Sequence, residues 1–517
     1  MDTKALRQKV LDLAIRGKLV PQDPNDEPAS VLLERIRQQK KQMVRDGKLK
    51  PKDIKNDTII FVGEDNLHYE KFADGSVKCI EDEIPFDLPE GWAWSRLGTV
   101  AEAIGDGDHQ PPPQTSSGVP FLVISNVSGG QLSFENTRFV SEEYFSQLPE
   151  TRKPRNGDLL FTVTGSYGIP VLVDTDDKFC FQRHIAIVRP CIISNRYFYV
   201  VLGSSYVKSI CDAKATGTAQ KTVGLATLRE LLIPVAPYKE QMQIYAQTQD
   251  ALSIVDSISS DKEDLLNIIE NTKAKILNLA IRGQLVPQDL NDEPASVLLE
   301  RTRSEKEELI RQGKIKRDKK ESVIFRGEDN SYYFDIPDGW ALCPLKELFN
   351  VCSAKRVRQS DWRTEGVPFY RAREIVKLSD NGFVDNDLFI SEEHYIRVKA
   401  ECGVPEPGDL MVSGVGTIGK VYVVNSDDRF YYKDASVLCF ENRTGVIDSQ
   451  FARYMLESEF MQAQMKDNSK GTTVDTITIS AAMEYVCVLP PLAEQKRIVS
   501  AIETAFVHLK SISDALT

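Results

Sequence analysis

The string Gly414-Val415-Gly416-Thr417-Ile418-Gly419-Lys420 is the part of this 517-residue sequence that most invites a chemical reading. A glycine-rich loop cradles phosphate when its backbone N–H groups point at the anion and a helix N-terminus stands behind them. Here Val421 stands where a phosphate loop carries Ser or Thr, and Lys420-Val421-Tyr422-Val423-Val424 has the composition of a strand, not a helix. An earlier string of the same kind, Thr164-Gly165-Ser166-Tyr167-Gly168, has no lysine. Nucleotide binding is therefore disfavoured. What remains is a glycine turn that lets backbone approach a large ligand, or a plain hairpin turn.

A second group of residues suits nucleic acid. Lys355, Arg356 and Arg358 precede Trp362, and Arg371 and Arg373 follow. Guanidinium groups pair with guanine edges and ammonium groups with phosphates, although a solvated surface has the same composition. In the loop Gly105-Asp106-Gly107-Asp108-His109-Gln110 an Asp could accept from cytosine, and Gln110, beside His109, could pair with adenine; a turn ahead of Pro111–Pro113 is the plainer reading. Small hydroxyl, amide and basic residues near glycines suit phosphate contacts. These are Thr164, Ser166 and Tyr167; Gln182, Arg183 and His184; Thr218 and Lys221; Ser413, Thr417 and Lys420; Lys433; and Lys470, Thr472 and Thr473.

Catalytic and metal-binding patterns are missing from the sequence. The nine cysteines contain no C-x-x-C pair, and His68, His394 and His508 have no partners at metal-ligand spacing. An adenine methyltransferase would carry Asp/Asn-Pro-Pro-Tyr/Phe, whereas Pro111-Pro112-Pro113 is followed by Gln114. With 64 Lys+Arg against 76 Asp+Glu the net charge is -12, so a protein that coats nucleic acid by bulk charge is excluded and any contact must be local. A composition of 41% hydrophobic and 27% charged residues is globular. No apolar run reaches the roughly 18 residues of a membrane span, and the N-terminus has no apolar signal core; a reducing cytoplasm is expected.

The elements that must position these residues come in two copies. Leu13–Arg37, LAIRGKLVPQDPNDEPASVLLERIR, returns at Leu279–Arg303 with only three of 25 positions changed: Lys18/Gln284, Pro24/Leu290 and Ile36/Thr302. Weaker echoes follow in order. Leu88-Pro89-Glu90-Gly91-Trp92 returns as Ile336-Pro337-Asp338-Gly339-Trp340, Gly118-Val119-Pro120-Phe121 as Gly366-Val367-Pro368-Phe369, and Gly157-Asp158-Leu159 as Gly408-Asp409-Leu410. Pro237-x-x-Glu240-Gln241 returns as Pro491-x-x-Glu494-Gln495. The offsets align Met1 near Asn267 and Thr517 near Glu263, so the chain reads as a closed cycle of two halves cut at one point, with adjacent termini and a pseudo-two-fold axis.

Apolar residues at Leu252, Val255, Ile258, Leu265, Ile269, Ile276 and Ala280 predict one helix over 239–282, about 65 Å long at 1.5 Å per residue. Leu6, Val10 and Leu13 at one end of the chain, and Ile498, Ile502, Ala505, Leu509, Ile512 and Leu516 at the other, predict a second long helix in two pieces. A further helix is expected to start near Pro28 and Pro294. Both copies run basic: 34–55 carries nine Lys/Arg against three Asp/Glu, and 301–320 nine against four. They face either flanking phosphates or acidic partner surfaces, the second being preferred because they lie on the scaffold. The expected organisation is scaffold helices 1–50, a linker with short strands 51–87, a mixed domain 88–236, central helices 237–320, a linker 321–335, a second mixed domain 336–490, and a closing helix 491–517 that pairs with the N-terminal segment.

These features, above all the twin LAIRGKLVPQ and LAIRGQLVPQ, the twin NDEPASVLLER and the closures IPVAPYKEQ and VLPPLAEQ, closely resemble the DNA-specificity (S) subunit of type I restriction–modification systems over essentially the whole length. The resemblance implies an α+β fold: two globular mixed α/β target-recognition domains separated by two long antiparallel coiled-coil-like helices. It further implies that each domain reads one half of an asymmetric bipartite site in double-stranded DNA, and that the helices dock two adenine-methyltransferase subunits. Motor/nuclease subunits join in the restriction complex. Catalysis, with S-adenosylmethionine, ATP and Mg, then belongs to the partners, and this chain is expected to hold no cofactor and touch no membrane. A specificity subunit of a methyltransferase-only complex, or a coiled-coil scaffold that reads no DNA, are the alternatives. The cyclic reading has its own test: a circular permutant opened in the central segment, with the old termini joined, should fold, and aggregation of the permutant but not the parent would contradict it.

Overall fold

The computed structural model describes residues 2–107, 110, 112–217, 220–312, 336–467 and 475–516. They fall into two compact units, Met1–Asp261 and Lys262–Thr517. The helix Tyr238–Ile281 runs for 44 residues and contributes its first part to one unit and its last part to the other.

Each unit is built on the same pair of helices. In the first, Thr3–Ile15 is capped by Asp2, whose carboxylate accepts the N–H groups of Lys4 and Ala5 at 2.9 and 3.0 Å. Its buried stripe is Val10, Leu11, Ala14 and Ile15, packed against Ile244 and Leu252. This stripe departs from the expected Leu6–Val10–Leu13 seam; Leu6 is exposed. In the second unit Leu277, Ala280 and Ile281 take that place, against Ile498 and Ile502 of the helix Leu492–Leu516. Gly17 and Gly283 end the two helices at φ 63° and 66°, a left-handed geometry that favours glycine.

The helices Ala29–Arg45 and Ala295–Arg311 follow, with Pro28 and Pro294 at the N-cap and not in the first turn as expected. The three differences between the copies are structurally cheap. Lys18, Gln284 and Pro24 are exposed, and so is Leu290. The third puts Thr302 where Ile36 is fully buried, and Thr302 Oγ1 donates to Leu298 O at 3.2 Å within its own helix.

A buried joint fastens this scaffold to the domain that follows. Trp92 Nε1 donates to Glu240 Oε2 at 2.9 Å, and Trp340 Nε1 to Glu494 Oε2 at 3.0 Å. Gln22 Nε2 donates to Gly17 O, Val20 O and Glu240 Oε1; Gln288 Nε2 repeats this with Gly283 O, Val286 O and Glu494 Oε1. Gly91 O accepts from Ala29 N, and Gly339 O from Ala295 N, each at 2.8 Å. The neighbouring glutamines Gln241 and Gln495 are fully buried and tie the helix to the domain through Ser194 N and Asp448 N. Burial pushes the Glu240 carboxyl above its ordinary range, so its hydrogen bonds offset a real desolvation cost.

In unit 1 the domain itself centres on an antiparallel sheet of Ala101–Asp106, Ile185–Pro190, Leu159–Thr162 and Pro170–Leu172, in that spatial order. Unit 2 repeats it with Asn350–Cys352, Val437–Glu441, Leu410–Ser413 and Val421–Val423. A smaller sheet carries Val119–Leu122 or Val367–Tyr370, and a two-stranded ribbon closes each domain, Ala93–Arg96 with Leu232–Val235 and Ala341–Pro344 with Val486–Leu489. The repeated Gly-Val-Pro-Phe has a steric cause. A Cβ on Gly118 would stand 2.4 Å from Val140 O, and one on Gly366 2.4 Å from Ile390 O. Between residues 59 and 79 unit 1 carries a three-stranded antiparallel meander.

Gly17 offers a direct test of the joint. A Cβ there would lie 2.4 Å from Pro89 Cγ, whereas one on Gly47, at the similar φ of 70°, would meet nothing within 4 Å. Gly47→Ala should therefore cost only the left-handed backbone penalty, about 1–2 kcal/mol. Gly17→Ala should cost about 2–4 kcal/mol because overpacking is added. Equal losses in urea midpoint would show that contact with Pro89 does not matter.

Candidate nucleic-acid interface

Loops that are far apart in sequence converge at one end of each four-stranded sheet. In unit 1 these are Gly107 after the strand ending at Asp106, the turn 163–169, the turn 182–184, and residues 216–217 and 220–222. Val163 N donates to His184 O (2.9 Å), Gly165 N to Lys221 O (3.0 Å) and Val223 N to Val163 O (2.8 Å). Unit 2 makes the same three bonds: Gly414 N to Ser436 O (2.9 Å), Gly416 N to Asp475 O (3.2 Å) and Ile477 N to Gly414 O (2.9 Å). Gln182 N bonds Leu122 O as Lys433 N bonds Tyr370 O. Side chains that share almost no sequence thus stand on one backbone frame.

The phosphate-loop-like string is the turn between strands Leu410–Ser413 and Val421–Val423, with no helix behind it. Ser413 is fully buried; its Oγ donates to Thr417 O (2.6 Å) and accepts from Lys420 N (2.9 Å), which shapes the turn. Thr164 is buried and shares a 3.1 Å hydrogen bond with Thr222.

The charged candidates divide into two kinds. Some are held by partners within the chain. Lys355 pairs with Glu401, and Lys420 with Asp380 at 2.6 Å. Arg371 and Arg373 form a network with buried Glu374 and with Asp387, and these arginines hold both carboxyls below their usual range. Tyr167 OH donates to Asp212 at 2.8 Å, and the Lys208 ammonium sits 4.0 Å from the centre of its ring. Others present exposed charge on the rim: Arg356 and Arg358 in unit 2, Arg183 and Lys221 in unit 1, with Lys433 half-buried. Among the described residues none of these five side chains forms an ion pair within 4 Å, although the Arg358 backbone N–H donates to Asp361 Oδ2 at 3.2 Å and the Lys221 charge contributes to lowering the Asp212 pKa. Gln110 and Ser166 are exposed, Gln182 and His184 half-buried. Burial first, and Arg183 second, lower the His184 pKa, so it is a neutral donor–acceptor at pH 7. His109, Thr218, Lys470, Thr472 and Thr473 lie outside the described residues.

Sequence reasoning did not single out the residues that fasten these rims. Thr222 and Asp475 hold the glycine turns. At the opposite end of the sheet, Arg189 forms a two-pronged ion pair with Asp158 at 2.8 and 2.7 Å, and both side chains are under one-tenth exposed. Asp409 does the same with Arg443 at 2.6 and 3.0 Å. The repeated Gly-Asp-Leu was the visible signal, but the arginines come from non-matching positions. A cleft of about 1170 Å³ lies away from the unit 1 rim, and its lysines and arginines are interleaved with Asp53, Asp57, Glu70 and Glu83. That mixture favours no anion.

The family model for the type I restriction modification DNA specificity domain matches twice, at residues 89–270 and 337–511. The chain belongs to this family. Each match begins on the Pro-x-Gly-Trp that enters the joint and covers one recognition domain with its following helix. The type I restriction enzyme EcoAI specificity subunit of Escherichia coli is 26% identical, with 97% of this chain and 88% of that protein aligned. The EcoEI specificity subunit of Escherichia coli is 25% identical over 97% and 89%. A solved chain, described as the structural basis underlying complex assembly and conformational transition of the type I R-M system, shares the fold. Its TM-score is 0.52 at 18% identity, covering 84% of this chain and 94% of that one. Among the described residues no helix is long and apolar enough to cross a membrane. The chain is thus a type I specificity subunit with two target-recognition domains.

The Asp158–Arg189 pair should hold the unit 1 sheet in register. Asp158→Asn leaves a buried guanidinium uncompensated and should cost about 3–5 kcal/mol, whereas replacing both residues by apolar ones of similar volume should cost far less. Equal destabilisation of the single and double variants would contradict this.

Proposed function

We propose that the two rims are the base-reading surfaces, each taking one half of an asymmetric bipartite site in double-stranded DNA. The observation that carries this reading is the frame of three identical backbone hydrogen bonds in each unit, bearing divergent polar and cationic side chains. A frame held constant while its side chains vary is what two readers of different sequences require. Arg356 and Arg358 suit guanine edges or phosphates, Lys433 a phosphate, and Gln110, Gln182 and neutral His184 base edges in the other half-site. Arg371 and Arg373, occupied by Glu374 and Asp387, serve to shape the domain.

The chain carries no active site in this reading. Two adenine-methyltransferase subunits dock on the helices and use S-adenosylmethionine; a motor/nuclease subunit, where present, uses ATP and Mg. These partners also supply positive surface around the DNA, which reconciles binding with a net charge of -12. The complex works in the cytoplasm, where its DNA is.

The test is DNA binding by the complex with methyltransferase across a salt series. Replacing Arg356, Arg358 and Lys433 by Ala should weaken binding and shallow the salt slope by about 0.9 for each phosphate that is no longer neutralised. An arginine that reads a base should instead cost about 1–3 kcal/mol and relax one position of the target. Arg373→Ala should leave the slope unchanged. Unaltered affinity and slope in the triple variant would overturn the assignment.

A further inference from the structure

Four of the nine cysteines stand opposite one another in pairs, and only in unit 2. Cys352 faces Cys439 across the strands Asn350–Cys352 and Val437–Glu441, and Cys343 faces Cys487 across Ala341–Pro344 and Val486–Leu489. In unit 1 the matching positions are Gly105 opposite Ile187 and Ser95 opposite Ile233. Directly opposed residues in an antiparallel ladder have Cα atoms about 4.5 or 5.5 Å apart. A disulfide spans about 4.4–6.8 Å, so either pair could close without moving its strands.

The pairs differ in access. Cys343 and Cys487 are both fully buried in the main core of unit 2. Cys352 is half-buried at the end of its strand, while Cys439 lies beneath it in a small core with Met411 and Tyr432. The two residues stand directly opposite each other in the ladder, and the sulfur of Cys352 lies 3.8 Å from Tyr432 OH and 3.7 Å from Glu441 Oε1. The opposed Cys439 thiol first, and the Tyr432 hydroxyl with it, favour the thiolate of Cys352 against burial and the Glu441 carboxylate, and its pKa lies below the ordinary thiol value. A half-buried, activated thiol directly opposite a second thiol is the arrangement of an attacking and a resolving cysteine.

We propose that Cys352 and Cys439 are an oxidisable dithiol, closed to an intramolecular disulfide by a peroxide at the base of the unit 2 rim. The thiolate of Cys352 attacks one peroxide oxygen and breaks the O–O bond. With hydrogen peroxide the products are Cys352 sulfenic acid and, after protonation, one water. The sulfur of Cys439 then attacks the sulfenic sulfur; the S–S bond forms, the S–O bond breaks, and the leaving hydroxide takes the Cys439 proton as a second water. Two thiols and one peroxide thus give one disulfide and two waters.

The bond ties together two rim segments. Cys352 adjoins Ser353, whose Oγ accepts from Ala435 N at 3.2 Å, and leads directly into Lys355, Arg356 and Arg358. Cys439 lies on the strand that follows Lys433. Only this half of the molecule can be modified in this way, because unit 1 has no thiol at either matching position.

The experiment exposes the full chain to hydrogen peroxide, alkylates the remaining thiols and maps peptides without reduction. A Cys352–Cys439 crosslink is expected, reversed by dithiothreitol, while Cys343 and Cys487 remain unlinked thiols. In Cys439→Ser the crosslink is lost and Cys352 sulfenic acid accumulates, captured by a dimedone reagent. Each of three results would overturn the proposal: oxidation of Cys352 to sulfinic or sulfonic acid while Cys439 stays a thiol; a disulfide from Cys352 to exposed Cys402 or to another chain; or an intact Cys352 thiol at a peroxide dose that consumes exposed Cys79.

Discussion

The structure depends on a buried carboxylate used twice. Glu240 and Glu494 each accept an indole N–H from the start of a recognition domain and an amide N–H from the loop that ends a scaffold helix. A desolvated carboxylate is costly unless such donors are in place. The donors therefore form a set: remove the tryptophan or the glutamine and the charge that remains destabilises the fold. Gly17 and Gly283 belong to the same set, since a side chain at either would strike Pro89 or Pro337. The joint explains why the motifs around it are nearly the same in the two halves while the residues inside each domain are not.

Within each domain the same division holds on a smaller scale. Backbone hydrogen bonds and an Asp–Arg pair with a buried carboxylate set the frame, and the exposed rim is left to vary. This is how a protein of net charge -12 can still present exposed cationic side chains on its rims. Many of its lysines and arginines pair with neighbouring carboxylates, whereas Arg356, Arg358, Arg183 and Lys221 stand exposed on the rims without an ion pair among the described residues. The cysteine pairs add an asymmetry of a different kind, because a thiol couple at the base of one rim is absent from the other.

Much of the scaffold could be read from the residues. The stripe from Leu252 to Ala280 marked a helix that runs Tyr238–Ile281, and the repeated letters around the joint returned as repeated packing. Of the seam expected for the first helix only Val10 is buried; Leu13 is half-buried beside Ala14 and Leu6 is exposed, since apolar residues at neighbouring positions give two overlapping helical faces. The rims were harder. Types such as Arg, Lys and Gln announce a polar surface but not whether a carboxylate from elsewhere in the fold already holds them. Glu401 on Lys355, Asp387 on Arg373 and Asp212 on Tyr167 are such cases, and no local spacing foretold them. The Asp409–Arg443 pair escaped notice for the same reason: its two members are 34 residues apart and their equivalents, Asp158 and Arg189, are 31 apart.

The central claim is that a constant joint carries an interchangeable reader in each half. The most direct measurement exchanges the residues between Trp340 and Pro491 for the corresponding block of another specificity subunit, and maps methylated adenines in cells that express the methyltransferase. One half of the bipartite target should change to that of the donor, while the other half and the gap between them stay as in the parent. A target altered in both halves, or unaltered in either, would contradict the account.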